Sequence, residues 1–195
     1  MRQKALLAAF ALVAVLLVGA PTAFATNLLT NGSFETGDFS GWTHTGDTTF
    51  DSVQCGGGAQ DGLCFASLGP VGDQGFLGQS FSDTPGTQYT FSFWLAASGD
   101  DVSNFSASWD GTSVLNLSDP NTGGNWQQFS FTETGTGSDT IQFSFRDDPA
   151  FLSLDNVSVS TSGGGTTPEP SSLLLLGSGL LAVGGVVRRK FQANR

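Results

Sequence analysis

Tyr89-Thr90-Phe91-Ser92-Phe93-Trp94-Leu95 is the stretch on which the fold turns. Large apolar side chains stand at positions 89, 91, 93 and 95, with Thr90, Ser92 and Trp94 between them. A period of two sends successive side chains to opposite faces of a strand, so one face here is core. Pro85-Gly86 supplies a turn just before it. The same period recurs downstream. Phe105, Ala107 and Trp109 alternate with Ser106 and Ser108 and stop at Asp110-Gly111; Ile141, Phe143 and Phe145 alternate with Gln142 and Ser144. Residues 48–54, 63–68, 75–81, 114–117, 126–131 and 151–159 read as further short strands, and Leu28-Leu29 as the start of another. No window before Pro168 keeps a 3.6-residue period. About eight short strands punctuated by Gly, Asp, Asn and Ser predict an all-β antiparallel sandwich. Trp42, Trp109 and Trp126 fall in core phase or at strand starts and are expected in the core.

The two ends of the chain have a different character. Arg2 and Lys4 precede an apolar run over residues 5–18, and Ala23-Phe24-Ala25 follows. That order is a secretory signal peptide, residues 1–25, implying Sec export and cleavage by signal peptidase. At the other end, Pro168-Glu169-Pro170 precedes an uncharged apolar run, residues 173–187, and then Arg188-Arg189-Lys190. As a helix the run spans about 22 Å. A bilayer core is about 30 Å thick, so Ser171 and Ser172 and local thinning must complete a membrane crossing. The basic cluster stays cytoplasmic. The expected layout is a β-sandwich at 26–160, a Gly/Thr/Pro linker at 161–170, a transmembrane helix at 171–187 and a basic tail at 188–195.

Charge is divided along the same lines. Six of the seven basic residues lie in the terminal segments, which leaves Arg146 alone against sixteen of the seventeen acids. A domain with a net charge of about −15 has no footprint for nucleic acid. Cys55 and Cys64 bracket a Gly-rich loop in an exported chain and are expected to form a disulfide. No His or further Cys is near enough in sequence to complete a zinc site.

Pro168-Glu169-Pro170, a short apolar helix and the terminal Arg188, Arg189 and Lys190 together resemble a PEP-CTERM sorting signal. The resemblance covers about the last 28 residues of the chain. It implies processing by an exosortase of a Gram-negative, exopolysaccharide-making bacterium. The precursor would be anchored transiently in the inner membrane and then pass to the cell surface or extracellular matrix. Glu169 and its two prolines would be the recognised determinants.

A second resemblance covers nearly all of residues 27–160. LLTNGSFETGDFSGW (28–42), GQSFSDTPGTQYTFSFWL (78–95) and LSLDNVSV (152–159) are similar to jelly-roll domains related to carbohydrate-binding modules and galactose-binding-like folds. In such domains a structural calcium often ties the first strand to the last; the matching positions are Glu35 and Asp155, with carbonyls near Gly32 or Ser33 as further oxygen ligands. Sugar binding needs an exposed aromatic face beside amides and carboxylates. Trp94 is the strand aromatic that points away from Tyr89, Phe91 and Phe93, and is the candidate for that role.

Catalysis has little support. Asp100-Asp101 and Asp147-Asp148 are adjacent pairs, and neighbours in a strand face opposite ways. His44, the sole histidine, has no nucleophile motif beside it. The expectation is a non-enzymatic exported protein with a structural or adhesive role in exopolysaccharide or biofilm. The alternative is a carbohydrate-binding module with a specific glycan ligand.

Overall fold

The alternation at 89–95 is realised as β5 (Gln88–Ala96), in which Phe91, Phe93 and Leu95 are completely buried and Tyr89 nearly so. The structure, a computed structural model, describes residues 26–99 and 102–162. The other strands are β1 (Thr43–Gly46), β2 (Ser52–Cys55), β3 (Cys64–Leu68), β4 (Gly75–Ser82), β6 (Val102–Trp109), β7 (Thr112–Ser118), β8 (Gln127–Thr134), β9 (Ser138–Asp148) and β10 (Leu152–Thr161). They form two five-stranded sheets, ordered β1-β4-β9-β6-β7 and β2-β3-β10-β5-β8, and every pairing is antiparallel.

The inner faces interleave aromatic rings. Phe93 of one sheet meets Phe143 of the other edge-on at 5.0 Å, and Phe91 and Phe105 lie 5.8 and 5.5 Å from Phe143. Each fully buried ring contributes about 1.5–3 kcal/mol of burial free energy. Edge-to-face contact adds roughly 0.5–1.5 kcal/mol.

Three expectations need correction. Leu28-Leu29 starts no strand; residues 26–42 are a chain of turns held along β10 and β4. Leu28 donates its N–H to the Val159 carbonyl, Val157 donates to the Gly32 carbonyl, and the Gln79 amide both accepts from and donates to Thr30. Residues 48–51 are turn, and the strand begins only at Ser52. β1 went unforeseen because Thr43-His44-Thr45-Gly46 has no apolar residue to carry a period. Trp42 and Trp109 are buried, but Trp126 is only half-buried. It packs edge-on against Phe65 and donates its indole N–H to the Gly58 carbonyl at 2.9 Å.

Cys55 and Cys64 are disulfide-bonded across the β2–β3 hairpin. Closing so short a loop contributes about 2.5–3 kcal/mol on the chain-entropy model. The signal peptide, the PEP segment, the apolar run and the basic tail lie outside the described residues. Among the described residues no helix is long and apolar enough to cross a membrane.

One end of the sandwich gathers three carboxyls. Asp139 of β9 is completely buried and accepts from the Thr136 N–H and hydroxyl. Asp83 accepts from the Gly137 N–H, Asp110 accepts from the Thr140 N–H at 2.7 Å, and both share hydrogen bonds with Asp139. Desolvation, then the Asp139 carboxyl, raises Asp83 and Asp110 above the ordinary aspartate value of 3.8. Burial alone would raise Asp139 too, but the hydrogen bonds from Asp83, Thr136 and Asp110 bring it below that value. The three carboxyls therefore pull one another apart, Asp83 and Asp110 towards the protonated form and Asp139 towards the ionised one.

A carboxyl raised in the folded state contributes stability that is complete below its unfolded pKa and is lost as pH rises through its folded pKa. Melting temperature is expected to fall from about pH 4 towards neutrality. The double variant Asp83→Asn, Asp110→Asn, which keeps a donor at both positions, flattens part of that slope. Asp51 and Asp155, also raised by burial, keep the rest. An identical slope in the variant, followed by calorimetry across this range, would show that Asp83 and Asp110 are not raised in the folded state.

Candidate functional site

Trp94 lies on the outer face of the β2-β3-β10-β5-β8 sheet, opposite Gln128 of β8 and Asp155 of β10, and is half-buried. Much of that end of the sheet is covered. The disulfide-closed loop turns back over it, so that the Gln60 and Asp61 N–H groups donate to Asp155 Oδ2 at 2.7 and 3.0 Å. Asp155 is fully buried, and that burial pushes its carboxyl up against the hydrogen bonds that pull it down.

Glu35 reaches the same loop a few residues further on. Its Oε1 accepts from the Leu63 and Cys64 N–H groups at 2.9 and 2.8 Å. Gly62 sits at φ +64°, where an L side chain is strained, and a Cβ there would stand 2.4 Å from the Glu35 carboxylate and displace it. Ser33 donates its hydroxyl to Asp61. Glu35 and Asp155 thus converge on residues 60–64. Among the described residues no group of three or more His, Cys, Asp or Glu is arranged to hold a metal ion.

His44 pairs through Nε2 with Asp51 Oδ2 at 2.8 Å, and Asp51 Oδ1 accepts from the Gly69 N–H. The ring of Phe39 lies 4.4 Å from the imidazole. This pair fastens the β1–β2 turn to the β3–β4 loop. Asp147 and Asp148 face opposite ways, Asp147 buried and Asp148 paired with Arg146.

The more open ground is the outer face of the other sheet. A cleft of about 510 Å³ opens at its β1–β4 edge, lined by Gly46, Asp47, Asp73, Gln74 and Phe76. Gly46 has φ +78°, and a Cβ there would lie 2.4 Å from the Gln74 carbonyl and 2.8 Å from the Phe76 ring, so only glycine leaves the cleft open. From Phe76 the register runs across the sheet through Ser144 and Ser106 to Asn116, a ring followed by two hydroxyls and an amide. Gln74 is fixed at the head of this row, donating to Asn104 Oδ1 at 3.1 Å and accepting from the Ser144 hydroxyl. Hydrogen bonds from Thr49 hold the Asp47 carboxyl below its ordinary value, so it is ionised. One flat apolar face beside amides, hydroxyls and carboxylates is the chemistry that a sugar ring meets.

None of the cleft residues is apparent from composition. Phase offers one signal: in residues 75–81, Leu77 and Phe81 share the inner parity with Gln79, and Phe76 is out of phase, as Trp94 is in β5.

Comparison with known proteins gives two matches along the chain. The model of a PEP-CTERM protein-sorting motif matches residues 166–190, and that of a carbohydrate binding domain matches residues 26–150. No curated protein matches. The fold is similar to TmCBM61, solved in complex with β-1,4-galactotriose (TM-score 0.60, 19% identity, 71% of this chain and 100% of that one). It is also similar to the K1 cleaved adhesin domain of Lys-gingipain from Porphyromonas gingivalis W83 (TM-score 0.55, 13% identity, 67% and 96%). A third neighbour is the CBM22-1 xylan-binding domain of Xyn10C from Paenibacillus barcinonensis (TM-score 0.50, 18% identity, 75% and 100%). These likenesses establish the jelly-roll sandwich. With its β-sandwich matched over most of its length, the chain belongs to the carbohydrate binding domain family and carries a PEP-CTERM sorting motif behind that domain.

Proposed function

We propose that this is a non-catalytic glycan-binding protein of the cell surface, which holds exopolysaccharide through the open face of the β1-β4-β9-β6-β7 sheet. The observation that carries the reading is the Phe76 ring set beside Gln74, Ser144, Ser106 and Asn116 over an open cleft. The covered face around Trp94 is the competing location. Phe76→Ala and Gln74→Ala are each expected to weaken retention on the producer's exopolysaccharide about tenfold, some 1.4 kcal/mol. Melting temperatures of both variants are measured alongside. Loss of retention in Trp94→Ala, with the two cleft variants unaffected, would move the site to the other sheet.

The sorting motif implies export and delivery to the surface. Exosortase cleavage at the PEP segment, after insertion of residues 171–187 in the inner membrane, is the proposed route. Mass spectrometry of protein recovered outside the cell should find a C-terminus near residue 170. An intact Arg195 on that material would defeat the route. Delivered this way, the domain serves as an adhesive or structural component of the matrix.

A structural calcium at Glu35 and Asp155 is proposed on separate grounds. Both carboxylates reach residues 60–64, and a desolvated Asp155 beside Asp61 is a setting that a divalent cation relieves. Loop carbonyls must then complete the shell. The expected result is a lower melting midpoint in EDTA, restored by calcium. An unchanged midpoint, with no metal in the purified protein, would remove the proposal.

A further inference from the structure

Four strands end the two sheets: β1 and β7 in one, β2 and β8 in the other. An edge strand presents unpaired N–H and C=O groups, and folds blunt it by short length, bulges, proline or charge. β1 and β2 are blunted by length, with four residues each, and β2 is closed into the disulfide hairpin as well. The β6–β7 register shifts between Ala107 and Ser108, so the β7 edge is irregular. β8 has none of these devices. Its eight residues, Gln127–Thr134, pair with β5 one for one and without a shift. They include no proline, lysine or arginine, and a single charge, Glu133. Among the described residues, β5 alone is backbone-bonded to this strand.

The core is open along the same edge. Phe129 stacks on Phe93 at 5.5 Å and Phe131 lies 6.3 Å from Phe91. Phe91 and Phe93 are completely buried, whereas Phe129 and Phe131 stay half-buried because no strand lies beyond them.

An antiparallel edge is complementary to itself about a two-fold axis, with residue i opposite j and j opposite i. Directly opposed side chains share a face, so odd positions of β8 meet odd positions. An axis at Ser130 sets Phe129 against the partner's Phe131 on the inner parity, and Gln128 against the partner's Thr132 on the outer. Opposed aromatic rings stabilise a ladder. Charge selects the same register. The domain has no lysine and one arginine, so two copies repel over most of their surface. With the axis at Ser130 each Glu133 faces the partner's Gln127, and the two carboxylates stand roughly 20 Å apart. An axis at Phe131 would set Glu133 against the partner's Phe129 instead. We propose that β8 is an assembly edge, at which two copies of this chain pair antiparallel through residues 127–133 and join their β2-β3-β10-β5-β8 sheets into one. The cleft belongs to the other sheet, so both copies keep it. Copies held on one surface meet at high effective concentration, where a weak edge contact suffices.

The test uses the full-length chain in detergent. Cys55 and Cys64 are bonded to each other, so one introduced cysteine is the only free thiol. Ser130→Cys brings its two copies about 4.5–5.5 Å apart between Cα atoms, a span that a disulfide closes. On oxidation it should crosslink into dimers at least tenfold faster than Asn116→Cys, an exposed position on β7. Gln128→Cys and Thr132→Cys each lie about 13 Å from their own counterpart. Alone they should crosslink no faster than Asn116→Cys; mixed together they should match Ser130→Cys. Ser130→Lys sets two cations on the axis and should weaken association at least tenfold in sedimentation, with an unchanged melting temperature because the position is exposed. Raising the salt should tighten wild-type association by screening the acidic surfaces. A wild-type chain that stays monomeric overturns the proposal. So do equal crosslinking rates at Ser130 and Asn116, and association that survives Ser130→Lys. Gln128→Cys or Thr132→Cys crosslinking alone as fast as the mixture would overturn the register.

Discussion

The contact of Phe91 and Phe93 with Phe143 across the two sheets is the constraint from which the rest follows. It fixes which parity of β5 and β9 faces inward. The other parity, Thr90, Ser92 and Trp94 on one sheet and Gln142, Ser144 and Arg146 on the other, is thereby sent outward. A slip of one residue in either strand would exchange the two sets, so the buried rings set the chemistry of the outer faces as well as the stability of the core. The polar row behind Phe76 is the reverse side of the aromatic row behind it.

Around that core the loops are fastened by carboxylates that accept backbone N–H groups. Glu35, Asp51, Asp83, Asp110, Asp119, Asp148 and Asp155 each take at least one. The domain has no lysine and one arginine, so this work falls to acids alone. A carboxylate satisfied by N–H donors is charge-assisted, and such bonds are about twice as strong as neutral ones. A large negative charge is thus compatible with ordered loops, because much of it is already occupied in holding them. At the Asp83–Asp110–Asp139 end, three carboxyls crowd together, and burial raises Asp83 and Asp110 above the ordinary aspartate value.

Periodicity made the core legible. Each of the three long alternating runs became a strand with its apolar parity buried, because burial on one face leaves a mark at every second residue. Cys55 and Cys64 were equally readable, being the only two cysteines of an exported chain. β1 was not, since its partner β4 and not its own composition makes it a strand. Trp126 was misplaced because a half-buried ring on an outer face leaves no phase signal at a strand start. The cleft was hidden for a similar reason: Gly46 and Gln74 are distant in sequence and become neighbours only through the β1–β4 ladder.

The last strand occupies the middle of its sheet, with β3 on one side and β5 on the other, and the N-terminal segment is bonded to it as well. The segment that carries the sorting motif leaves from the end of this strand. Tension applied through the C-terminus therefore enters the domain at a central strand, bonded on both sides. To draw β10 out, two ladders and the Asn27–Val157 and Leu28–Val159 bonds must give way together. An edge strand in the same position would peel one hydrogen bond at a time. The order of strands makes this domain resist a pull along its C-terminal segment.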